Sequence, residues 1–403
     1  MHGTRRLGLR ANAGWALASS LLLVIASGGC SAAKTGAGTE STSGSVVGRL
    51  HPVNLALAIT PVDAGASPTF QTSGATSFAY VATVNAPKNL ATNDVLQATN
   101  FAFTNTHAVV TYNMAGPAIE GALDVVDLSD PAKATLVACL QFPAEEFADV
   151  AVSGRTAFLV GQGAAGGLLA VVDIADPTHP REIADLALGS YYATSIALEG
   201  TSAYITTGDT GGGLVRVDVT NPSAPTIKSV VPLSNALSAI RSEETTFAFG
   251  GDTTTSLYAI ASTSALPLAT IGSERFAAPV RMALVSGDVV TNGAHSGLTV
   301  LQASPTRATI AFHADLPGTG NGIDIAGNLA VLAQGEAGTL LYDFTTPTAP
   351  ILLGSFAFPD DRGSANEVRL GSCAESDYIF LSDGLGGFRI VRRGTTADGG
   401  TTH

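Results

Sequence analysis

From about residue 95 to residue 391 the chain alternates apolar and polar positions in short runs, each closed by Gly, Asn, Asp, Ser or Pro. Alternation with period two puts successive side chains on opposite faces of a strand, so these runs predict β-strands rather than helices. One unit can be followed in full. Residues 147–152 (FADVAV) form a first strand, turned by Ser153-Gly154-Arg155; residues 156–160 (TAFLV) form a second, followed by a Gly-rich stretch to residue 167. Residues 168–174 make a third strand, Asp176-Pro177-Thr178-His179-Pro180 a turn with φ fixed by proline, and residues 182–188 a fourth strand. The next unit repeats this order as ATSIAL, SAYITTG, GGGLVRVDV and TIKSVVPL.

The third strands carry a recognisable signature. Residues 123–131 read LDVVDLSDP, 169–177 LAVVDIADP and 214–222 LVRVDVTNP, each with Asp at the fifth position and Pro four residues later. Looser copies begin at Leu257, Leu298, Thr339 and Phe388, where the fifth position is Ala261, Gln302, Asp343 and Arg392. The fifth positions are 41 to 49 residues apart. A period in the forties with four short strands per unit predicts a β-propeller, here all-β, with seven blades of four antiparallel strands. Six or eight blades stay open, because residues 50–94 have room for an irregular one.

This pattern resembles the LVIVD-repeat family over residues 95–392, closely in the first three units and more loosely in the fourth, fifth and seventh. The resemblance implies a β-propeller, often on bacterial cell surfaces, with no activity common to the family. A ring must also close, since an open stack of blades leaves an apolar face and free strand edges at both ends. The seventh unit lacks its fourth strand, while residues 53–59 (VNLALAI) and 78–84 (FAYVATV) are spare strands ahead of the first unit. One of these two is expected to complete the last blade.

The N-terminus has a different character. A basic start (MHGTRRLGLR), an apolar stretch and the small residues Ser27-Gly28-Gly29 before Cys30 have the form of a secretory signal. Residues 26–30 (ASGGC) resemble the lipobox of bacterial lipoproteins, with Ser27 at the place usually held by Leu. That resemblance implies cleavage before Cys30, lipidation of its side chain, and anchoring to the bacterial cell envelope. Ser31, where an Asp often marks inner-membrane retention, favours the outer membrane, on its periplasmic side or at the cell surface. The expected organisation is a signal over residues 1–30, a Ser/Thr/Gly-rich tether over 31–50, the propeller over 51–394 and a tail over 395–403.

Composition narrows the partners. With 45 Gly, 13% charged residues and a formal charge of -13, the chain is a strand-and-turn protein with an acidic surface. Such a surface repels phosphate backbones, so nucleic acid is excluded as an expected partner. The anchor makes the membrane one partner, and an envelope protein or glycan the other; the ring itself is expected to be a monomer without a cofactor.

Candidate chemistry is sparse. Asp127, Asp173, Asp218 and Asp343 recur at one structural position, which points to turn residues accepting backbone N–H groups. Polar residues of the Gly-rich turns (Gln162, Asp209, Asp252, Asn292, Gln334, Asp383) read as turn chemistry, with a ring of ligand contacts as the alternative. Aligning first strands on the Gly of the following turn places Asn100, Asp149, Ser195, Ala239, Met282, Gly322 and Asn366 in one layer of the central channel. Of these, Asn100, Asp149, Ser195 and Asn366 are the candidate ligand-binding residues at a channel mouth. The seven histidines lack metal-ligand spacing, so no metal site is expected, and no catalytic triad can be nominated. Cys139 and Cys373 fall in units that adjoin if the ring closes; a bridge and two separate thiols both remain open. The chain reads as a lipid-anchored, non-enzymatic binding scaffold, and the alternative is an envelope hydrolase or lyase using Asp149 as acid or base.

Overall fold

In a computed structural model the chain forms seven antiparallel sheets. The structure describes residues 42–43, 50–57, 77–89, 91–242, 245–261, 263–272, 280–294, 296–358, 363–371 and 377–394. The signal, Cys30, most of the tether, Cys373 and the tail lie outside the described residues. Each sheet is one blade. Their innermost strands, in chain order, are Gln97–Phe103, Glu145–Ser153, Ala193–Glu199, Ser238–Ser242, Val280–Val285, Gly322–Ala326 and Glu367–Leu370. Each packs against the next, and the seventh returns to the first, so the sheets form a closed ring. The 3-10 turn Pro131–Lys133 is the one helical element among the described residues.

Closure uses both spare strands. In blade 7 the order runs Glu367–Leu370, Tyr378–Ser382, Phe388–Gly394, then Ser77–Val84, then Leu50–Leu57. Ser77–Val84 is therefore the missing fourth strand, paired antiparallel with the third from Ser77 opposite Gly394 to Val84 opposite Phe388. Leu50–Leu57 adds a fifth strand outside it. Within the segment read as tether, Thr42–Ser43 pairs with Gln141 and Leu140 on the outer edge of blade 1.

Packing explains the hydrophobic pattern. A third strand is covered on both faces by neighbouring blades, so Gly121–Asp127 and Gly166–Asp173 are buried almost throughout and read as continuous apolar runs. An outermost strand such as Arg181–Ala187 faces water and alternates with charge. The seam between blades 7 and 1 is filled by aromatics: Phe101 meets Phe388 edge-on at 5.1 Å, and Phe103 meets Phe380 at the same distance. Leu233 and Ala236, in the link from blade 3 to blade 4, form a small buried cluster with Ala248 of blade 4.

Candidate functional site

The inner strands turn back into the second strands at a fixed register, and that register defines the layers of the central channel. Blade 2 pairs Ser153 with Thr156, blade 3 Glu199 with Ser202, blade 4 Ser242 with Thr245 and blade 5 Val285 with Asp288. Counting four residues back from the last paired position gives one layer: Asn100, Asp149, Ser195, Ser238, Arg281, Gly322 and Glu367. Six of the seven border a cavity of about 330 Å³. The exception is Gly322, where an added Cβ would stand 2.8 Å from the Glu367 Cα, so blade 7 leaves no room for a side chain.

Asn100, Asp149 and Ser195 thus line the cavity, as do Ala239 and Met282, while Gly322 and Asn366 do not. The Asn366 amide instead donates to the Ala98 carbonyl at 2.8 Å, tying blade 7 to blade 1. The layer read from sequence misses Ser238, Arg281 and Glu367 because the turn Gly is not a constant marker. In blade 5 the turn is Ser286-Gly287 with both residues at positive φ, so Gly takes the second place and the count shifts by one. In blade 7 Gly371 itself pairs with Tyr378, which shifts the count again.

Charged groups span the channel. Arg281 reaches from blade 5 to Asp149 in blade 2 at 3.0 Å, and its Nε lies 3.8 Å from Glu367 in blade 7. Glu367 also accepts from Arg369 at 2.9 Å, from the Val368 N–H at 3.1 Å and from the Asn100 amide at 3.1 Å. Asp149 accepts from its neighbour's Val150 N–H at 2.8 Å and from the Ile196 N–H of blade 3 at 3.1 Å. A carboxylate one blade away thereby fixes where an inner strand sits. Burial pushes the Glu367 carboxyl above its ordinary value, with Arg369 and Arg281 pulling it back. The network links blades 1, 2, 3, 5 and 7 across the channel.

The recurring Asp residues make local bonds. Asp127, Asp173, Asp218 and Asp343 each accept the backbone N–H two residues on, at 2.8, 2.9, 2.9 and 2.7 Å. Asp343→Ala is expected to lower unfolding stability by about 1 kcal/mol, read from a urea melt, because one such bond in water contributes little net. The chain itself carries Ala261, Gln302 and Arg392 at the equivalent places.

The Gly-rich turns spend their polar groups between blades. Asn292 donates to the carbonyls of Gly322 and Ala333 and accepts from Gln334 at 2.8 Å. Asp209 accepts from the Ser190 hydroxyl and the Tyr191 N–H. Asp383 instead faces the buried Arg389 of its own blade.

Blade 2 holds carboxyls with raised affinity for protons. Burial lifts Glu145 to about 8, helped by Glu182 and Asp185, and lifts Glu146 to about 7. Burial and Asp185 lift Glu182 to about 7. The folded state therefore binds more protons than the unfolded chain between roughly pH 4.3 and these values. Stability from these groups is full at the acid end of that window and declines as pH rises through 7 to 8. A higher melting temperature at pH 5 than at pH 8 is expected, and Glu145→Gln should flatten the difference.

Set beside known proteins, the chain matches the LVIVD repeat over residues 118–140, 147–186 and 191–232, which fall in blades 1, 2 and 3. No curated protein sequence matches it. Among solved structures, a chain in a crystal structure of the mitotic checkpoint complex superposes with a TM-score of 0.55 at 12% identity, covering 83% of this chain and 95% of that one. The computationally designed Ika8 protein gives 0.48 at 11% identity, over 80% and 95%. The first of these is a likeness of fold alone. The repeat match, the seven four-stranded sheets and the closed order of their inner strands make the chain a seven-bladed β-propeller carrying LVIVD repeats.

Proposed function

We propose that the chain is an exported, lipid-anchored envelope protein whose propeller serves as a non-enzymatic scaffold for a protein or glycan partner. The observation that carries this reading is how the recurring polar side chains are used. The turn Asp residues cap their own turns, and Asn292, Gln334 and Asp209 join blade to blade. Side chains at repeated positions thus serve the rigidity of the ring, which is what a presenting scaffold requires. Asp149, the candidate acid or base of the enzymatic alternative, has both oxygens engaged by backbone N–H groups and Arg281. The anchor rests on the basic start, the apolar run and the small residues before Cys30.

The test is to express the full chain and its Cys30→Ala variant in a bacterium fed labelled palmitate. Label in the membrane fraction for the parent, and none for the variant, is the expected result. A parent chain that stays unlabelled would refute the anchor. Cross-linking in the same cells is expected to capture one envelope partner reproducibly, and turnover of an envelope polysaccharide by the purified ring would overturn the scaffold reading.

A further inference from the structure

We draw no further inference here: the strongest candidate, the apolar rim where Leu266 and Ile310 stand exposed on the adjoining outer strands of blades 4 and 5, is an unpartnered face, and nothing in the structure shows what covers it.

Discussion

Arg389→Met is expected to cost about 3–5 kcal/mol of stability, because it removes one partner of a buried ion pair. Arg389 is 1% exposed, in the third strand of blade 7. It faces the Asp383 carboxylate, donates to the Tyr80 hydroxyl at 2.9 Å and stacks over Phe358 at 4.2 Å. Met retains much of the aliphatic stem, so the loss isolates the guanidinium. Without it the Asp383 carboxylate stays in a place that water does not reach. Tyr80 belongs to the closing strand Ser77–Val84, so the loss falls on the seam that completes the ring. Guanidinium denaturation should show the midpoint displaced, and adding Asp383→Asn to Arg389→Met should restore part of it. Equal stability of parent and Arg389→Met would show that the pair does not hold the seam.

Arg281→Met should be the next most damaging change, at about 2–3 kcal/mol, since its side chain is 17% exposed and the pair it breaks is partly wetted. The substitution withdraws the cation that stands between Asp149 and Glu367, two carboxylates that already repel each other. The Glu367 carboxyl would move further above its ordinary value. A group shifted upward in the folded state stabilises at low pH and loses that contribution as pH rises through its folded value. The variant should therefore lie closer to the parent at pH 5 than at pH 8 in thermal melts. A deficit that is the same at both pH values would mean that Arg281 acts by packing alone.

The architecture was legible because blades reuse one sequence device. An Asp capping its own turn and a Pro four residues later mark the end of a third strand, and the spacing of those marks is the blade period. The signal survives where the Asp is lost, because a strand buried on both faces still reads as an apolar run, as at Leu298–Leu301. That the N-terminus closes blade 7 also follows from counting strands. Which spare strand lies innermost does not follow, because VNLALAI and FAYVATV alternate equally well. The pairing of Ser77–Val84 with Phe388–Gly394, and with it the contact of Tyr80 with Arg389, joins residues too distant in the chain for local pattern to reveal.

The channel was legible only in part, for a related reason. Asn100, Asp149 and Ser195 can be reached by counting because the first three turns keep a constant register. Arg281 is displaced by one residue from the count because Gly takes the second place of its two-residue turn, and Glu367 because Gly371 is itself a paired position rather than a turn residue. Ser238 has no Gly to count from at all, the blade 4 turn being Ser242-Glu243-Glu244-Thr245. Strand pairing, rather than composition of the turn, is the marker that finds the layer. Arg389 gives no local sign either: the equivalent third-strand position is Asp124 in blade 1 and Thr299 in blade 5, buried polar residues each with its own partner.

Ser77–Val84 closes the ring that holds the seven blades together, and a disulfide trap tests that closure most directly. Ala79 and Arg392 are register partners in blade 7, and Ala56 lies one strand further out opposite Ala79. Paired residues on adjacent strands bring their Cα atoms within ~5.5 Å, close enough for a bridge. With Cys139 and Cys373 replaced by Ser, peptide mass mapping of oxidised Ala79→Cys/Arg392→Cys should recover the peptides of residues 79 and 392 joined. Ala56→Cys/Arg392→Cys should give none. A bridge in the second variant but not the first, or in neither, would contradict closure by this strand.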